Sequence, residues 1–232
     1  MDFVGRETEI RKLSRALEKG HNVIITGPYG IGRTRLVRRV AELNDSWRFA
    51  LVDFSKTAGE VCKRLLKEFL PNRRSSKRAP RSLSYKAGRY LLDNIAFQDQ
   101  QRPVIVMDNI GKLSSQQLTF LRCMILESRF RFVAIVESFL SPHSLFLLRA
   151  MLFPVEMMTL RHLSLQSACE YFKCVSEKHH CEWTNDQIMT FAKTSGGYPL
   201  GMKQLIQRKL NACPVNAELP PNKCTGGLWK ST

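Results

Sequence analysis

The stretch Val23-Ile24-Ile25-Thr26-Gly27-Pro28-Tyr29-Gly30-Ile31-Gly32-Arg33-Thr34-Arg35 decides the fold. Its apolar run reads as a buried strand, and a helix is predicted over Thr34–Leu43 through Leu36, Val37, Val40 and Leu43. Between them stands a glycine-rich turn in the P-loop pattern, with Arg33 where a lysine is expected. Glycines let backbone N–H groups wrap around phosphates, and the helix N-terminus adds its dipole. Thr34 supplies a hydroxyl for Mg²⁺. Arg33 keeps the charge, but a planar fork does not reproduce the compact ammonium of lysine.

Outward from this turn, strands and helices alternate. A helix is expected over residues 6–19, with Gly20 as its stop signal. Further strands are expected at Phe49–Val52, Val104–Met107, Phe132–Val136 and Val155–Leu160. Helices fall between them: one through Val61, Leu65, Leu66 and Phe69, then Tyr85–Ala96, Gln116–Glu127 and Leu145–Leu152. This alternation predicts an α/β domain over residues 1–162, built on a five-stranded parallel sheet covered on both faces. After Leu160 only helical patterns remain, at Leu165–Ser176, Thr184–Thr194 and Leu200–Leu210. They predict a small all-helical domain over 163–212, and 213–232 reads as a tail.

An Mg²⁺-binding P-loop needs an acidic residue at the end of an apolar strand, and Val104-Ile105-Val106-Met107-Asp108 provides one. The next position, where a carboxylate usually activates the attacking water, is Asn109, and an amide cannot take a proton from water. Glu137, ending the following strand, is the alternative base, and Ser138 beside it is a candidate for sensing the γ-phosphate. Because Arg33 and Asn109 each replace a residue that works in the transition state, hydrolysis is expected to be slow. Removing one such interaction typically costs about 10²–10³ in rate.

Phe3-Val4-Gly5-Arg6-Glu7 before a helix, the P-loop, the Asp108 strand and Gly196-Gly197-Tyr198-Pro199-Leu200 together resemble the AAA+ superfamily over about residues 1–210. The nearest-looking branches are the origin-recognition-like, STAND-like and transposon-regulator ATPases. The resemblance implies ATP and Mg²⁺ held between a sheet domain and a helical lid. Val4, Gly5 and Arg6 would lie by the adenine, with Gly197 and Pro199 facing the nucleotide from the lid. It also implies an arginine donated by a neighbouring subunit; Arg149 fits best, with Arg129 and Arg131 as rivals.

Thirty-six Lys and Arg against 20 Asp and Glu give a formal net charge of +16, which points to a polyanionic partner. Arg73, Arg74, Lys77, Arg78, Arg81, Lys86 and Arg89 lie in one stretch without an acidic residue. Such a stretch is either a solvated face or a surface for phosphate backbones, and the overall charge favours DNA. Seven cysteines, an odd number with no CxxC, argue for reduced thiols. With no leader pattern and no membrane-length apolar run, a cytoplasmic protein is expected. Cys174, His179, His180 and Cys181 match no zinc-site spacing.

Two classes of function follow. One is an ATP-binding protein that assembles with itself on DNA and recruits a partner such as a transposase. The other is a STAND-like switch acting on a protein partner without DNA.

Overall fold

The computed structural model describes residues 4–70, 84–95, 102–126 and 129–211. The strands are β1 (Asn22–Thr26), β2 (Trp47–Asp53), β3 (Arg102–Ile110), β4 (Arg131–Val136) and β5 (Val155–Thr159). The sheet-domain helices are α1 (Glu7–Glu18), α2 (Arg33–Glu42), α3 (Ala58–Phe69), α4 (Tyr85–Asp93), α5 (Ser115–Leu126) and α6 (Pro142–Met151). Three more follow: α7 (Leu165–Lys178), α8 (Asn185–Ser195) and α9 (Pro199–Asn211). The described residues divide into two compact units, one ending at Leu163 and one beginning at Ser164.

The five strands form one sheet in the order β2-β3-β4-β1-β5, with every neighbouring pair parallel. Val23, Ile24 and Ile25 have no exposed surface, as a central strand covered on both faces requires. Parallel pairing forces long crossovers, which the helices supply. Because the chain leaves β1 for the edge strand β2, β4 becomes the neighbour of β1. The C-terminal ends of β1, β4 and β3 therefore stand side by side, at the position where open α/β sheets place their ligands.

Two buried polar side chains fix this arrangement. Asn22 donates to Leu152 O at 2.8 Å and accepts from the backbone N–H of Phe132 at 2.9 Å, tying β1 to α6 and β4. Gln117 on α5 donates to the carbonyls of Phe54 and Lys56 at 2.7 and 2.8 Å, pinning the turn after β2.

Several elements start or stop away from the positions expected on sequence: β2 begins at Trp47 rather than Phe49, and α4 stops at Asp93 rather than Ala96, with Asn94 as its C-cap. α6 begins at Pro142 rather than Leu145, because Ser141 caps it through the Ser144 N–H and proline is pre-set for the first helical position. β3 runs past Asp108 to Ile110. Met107 pairs with Ala134 but Ile110 with Val136, so β3 carries one extra residue and bulges at Asp108-Asn109.

The second unit packs α7 on α8 and α8 on α9 around Phe172, Trp183 and Phe191. Trp183 meets Phe191 edge-on at 5.3 Å between ring centres, a favoured aromatic geometry. Among the described residues, no helix is long and apolar enough to cross a membrane, and no three His, Cys, Asp or Glu are grouped as metal ligands.

Candidate nucleotide-binding site

The turn between β1 and α2 has positive φ at Gly27 (146°), Gly30 (74°) and Gly32 (94°), conformations that a side chain would strain. A Cβ on Gly27 would sit 2.9 Å from Leu160 O, so the loop also needs glycine there for close approach. Gly32 is the N-cap of α2, and no side chain caps that helix. In contrast, α3, α4, α6, α7 and α8 are each capped by a Ser or Thr hydroxyl. The first-turn N–H groups of α2 are thus left for an anion from outside the chain. Pro28 and Tyr29 form the exposed tip, Ile31 is buried and Arg35 is exposed.

Thr34 Oγ1 lies 2.9 Å from Asp108 Oδ2. A hydroxyl and a carboxylate converging beside an anion cradle suit a hard divalent cation such as Mg²⁺. These residues fit a nucleotide triphosphate with its metal. The bound metal would supply charge neutralisation on the phosphates, and the chain would supply its two oxygen ligands and the backbone donors.

The cation of the loop is placed differently. Arg33 is 6% exposed, and its guanidinium is held at the end of β4. Its Nη1 donates to the Val136 carbonyl, and its Nη2 pairs with Glu137 Oε1 at 2.6 Å. The P-loop helix and the end of β4 are therefore joined by a fork-shaped contact that an ammonium could not reproduce. Glu137, the strand-end carboxylate, is committed to that pair, while Ser138 beside it is exposed.

Arg6 supports the loop from below. It is 8% exposed, and its Nη2 donates to Ile31 O at 3.0 Å and to Arg161 O at 2.9 Å. Burial lowers its pKa, with Glu9 opposing the shift. Gly5 and Arg6 both take left-handed φ, 75° and 69°, which turns the segment toward the loop, and Val4 before them is half-buried. The sequence does not signal this strut, because its acceptors are backbone carbonyls.

On β3, Asn109 takes a left-handed φ of 60°. Its Nδ2 donates to Asp53 Oδ1 at 3.3 Å. Asp53, at the end of β2, is the register partner of Asp108. Burial raises the Asp53 pKa, but hydrogen bonds from Ser55 and Asn109 outweigh it and hold the carboxyl below its ordinary value. Nothing in the sequence singles out Asp53, since a lone acidic residue after a strand carries no motif. A cavity of about 430 Å³ opens beside this pair, lined by Asp53, Lys56, Glu60, Arg64, Asp108 and Asn109 among others.

Arg149 is exposed in the last turn of α6, Arg129 is exposed and Arg131 is half-buried. In the second unit, Gly197 is buried with φ 67° and Pro199 opens α9. Of the basic stretch, Lys86 lies exposed on α4, Arg89 is half-buried, and Arg73, Arg74, Lys77, Arg78 and Arg81 lie outside the described residues.

A parallel sheet in this order, with a glycine-rich turn after one strand and a carboxylate at the end of a strand two positions away, defines a P-loop ATPase fold. A family model described as an AAA ATPase domain matches residues 2–136, and the chain belongs to that family. Among solved structures, the Holliday junction branch migration motor RuvB of Thermotoga maritima has a TM-score of 0.59 at 18% identity, covering 89% of this chain and 62% of that one. Cdc6p of Pyrobaculum aerophilum reaches 0.67 at 15% identity, over 91% of this chain and 64% of that one. The Aeropyrum pernix ORC1 protein, solved in complex with DNA, reaches 0.63 at 16%, over 91% and 60%. The chain thus spans less than two thirds of these structures. No curated protein matches it in sequence.

Proposed function

We propose that the chain binds ATP with Mg²⁺, assembles with itself on DNA in the ATP-bound state, and recruits a partner protein, of which a transposase is the best-fitting class. The observation that carries the nucleotide part is the 2.9 Å approach of Thr34 to Asp108 beside a cradle left open for phosphate. Hydrolysis is slow in this reading, because Arg33 is turned to Glu137 and Asn109 is no base.

The net charge of +16 supports a DNA partner, and the solved complex of ORC1 with DNA is a precedent within the same fold. Exposed aromatics on and just after α6 support self-association: Phe146, three residues before Arg149, and Phe153 are 67 and 80% exposed. Exposed aromatics flanking an arginine are the composition expected of a contact surface. An arginine there would reach the γ-phosphate of a neighbouring copy.

The test is DNA binding measured across a salt series, with Mg²⁺-ATP, with Mg²⁺-ADP and without nucleotide. ATP-dependent, salt-sensitive binding supports the reading. Nucleotide binding without any DNA binding would favour a switch acting on a protein partner.

A further inference from the structure

We propose that α9 reads base edges in the major groove of duplex DNA, presented by a helix–turn–helix that α8 and α9 form in the second unit. This rests on the DNA partner proposed above and adds sequence recognition to it.

The turn is short. α8 ends at Ser195 and α9 begins at Pro199, so Gly196, Gly197 and Tyr198 alone join them. Gly196 and Gly197 take left-handed φ of 55° and 67°, which reverses the chain within three residues. α9 packs on α8, with Met202 and Ile206 at 0 and 3% exposure on its inward side. A second helix held in this way offers its other side to a groove.

That other side carries Lys203, Gln204, Gln207, Arg208 and Asn211, all exposed. At 3.6 residues per turn they share one arc of about 140°. Gln204, Gln207, Arg208 and Asn211 follow the spacing i, i+3, i+4, i+7 and rise about 10 Å along the axis, the length of about three base pairs. No Asp or Glu occurs from Gln187 to Asn211, a stretch that holds Lys193, Lys203, Arg208 and Lys209. Cations in a last turn complement the helix dipole, which accounts for Arg208 and Lys209 but not for Lys203 or the three amides. Lys209 lies over the Phe191 ring at 5.2 Å and belongs to the packing of the unit. α7 differs: Glu170 and Glu177 accompany its Lys173 and Lys178, and Gln166 donates to Glu170 at 3.2 Å.

The chemistry of the face selects the partner. A side-chain amide donates and accepts at once, which matches N7 and N6 of adenine. A guanidinium matches O6 and N7 of guanine, and an ammonium at the edge of the face meets a phosphate. Donors of all three kinds without a carboxylate suit a polyanion whose base edges present acceptors.

The test uses the full-length chain with Mg²⁺-ATP. A pool of randomised duplex DNA is enriched for bound sequences, and affinity for the result is followed by fluorescence anisotropy across a salt series. Wild type should enrich a motif of about three base pairs and bind it about tenfold tighter than a duplex with one of those pairs changed. The combined variant Gln204→Ala, Gln207→Ala, Asn211→Ala keeps the charge; it should lose the preference and retain the salt slope. Lys203→Gln should keep the preference and lower the slope of log affinity against log salt by about 0.9. Lys173→Gln, an equal loss of charge on α7, should change neither. All five positions are exposed, and a thermal melt confirms that each variant is folded.

If wild type binds duplex DNA but enriches no sequence, or the amide variant keeps the wild-type preference, α9 is a solvated face and the proposal is wrong, while assembly on DNA still stands. A preference without ATP-dependent assembly would instead remove the assembly and leave α9 as the reader. No binding to duplex DNA in any nucleotide state overturns both.

Discussion

Arg33 Nη2 lies 2.6 Å from Glu137 Oε1, with the two side chains 6% and 13% exposed. The contact joins the start of α2 to the end of β4, the two elements that flank the phosphate cradle. Arg33 is thereby held as a structural cation, and ATP must either bind without its help or draw it away from Glu137.

Removing the carboxylate decides between these. Glu137→Ala leaves a buried guanidinium with no counter-charge, and breaking such a pair costs about 3–5 kcal/mol. A clear fall in Tm is expected. Mg²⁺-ATP should then raise the Tm of the variant more than that of the wild type, because its phosphates offer Arg33 a replacement anion. Equal nucleotide-induced shifts in a thermal melt would show that Arg33 never reaches the phosphates.

The Arg6 strut makes a separate prediction. Arg6→Ala strands the Ile31 and Arg161 carbonyls and unties the first residues of α1 from the loop. The Ile31 carbonyl contact is buried, and leaving that acceptor unsatisfied costs on the order of 1–3 kcal/mol, while the part-buried Arg161 carbonyl can turn to water. Stability should fall within that range, and Mg²⁺-ATP affinity should fall as well, because Ile31 lies inside the cradle. Unfolding in denaturant with parallel nucleotide titration separates the two effects. Full affinity in a destabilised variant would make Arg6 a strut of the fold alone.

The sheet was legible because its strands are short apolar runs ended by glycine or acid, as at Val23–Ile25 and Val104–Met107. Thr34 and Asp108 were legible because each sits at a fixed place relative to such a run. The links between strands were not. Arg33 and Glu137 are 104 residues apart in sequence, and they meet only because β4, rather than β2, lies beside β1. Asp53 and Asn109 are 56 apart and meet through the β2–β3 register together with a bulge, neither of which leaves a local pattern. The start of α6 is marked by Ser141-Pro142, whereas its apolar spacing begins only at Leu145, so periodicity alone places the helix three residues late.

Acid tests the Asp53 hydrogen bonds. A carboxyl whose folded pKa lies below its unfolded value of about 3.9 adds stability above that pH. The contribution disappears as pH falls through the folded value. Asp53→Asn should therefore flatten the stability profile below about pH 4 and leave its slope near neutrality unchanged. A steeper acid destabilisation in the variant would contradict the assignment.

DNA binding should depend on many copies of a weak contact. The stretch containing Arg73, Arg74, Lys77 and Arg78 can neutralise few phosphates per chain, so a single copy should bind weakly and salt-sensitively. Assembly lines up copies along one duplex and raises the effective concentration of each without new chemistry. Replacing these four residues by glutamine should lower the slope of log affinity against log salt by about 0.9 for each phosphate no longer neutralised, and should leave Mg²⁺-ATP binding intact. Arg149→Ala should act differently. It lies on exposed α6 surface beside Phe146 and away from Thr34 in sequence, so nucleotide should still bind to the isolated chain. What should fail is the ATP-dependent growth in particle size on DNA, followed by sedimentation. If the glutamine variant binds DNA with an unchanged salt slope, the basic stretch is a solvated face and the DNA-binding surface lies elsewhere. If Arg149→Ala still assembles on ATP, the arginine that senses a neighbour's γ-phosphate is another one, with Arg129 and Arg131 the next to substitute.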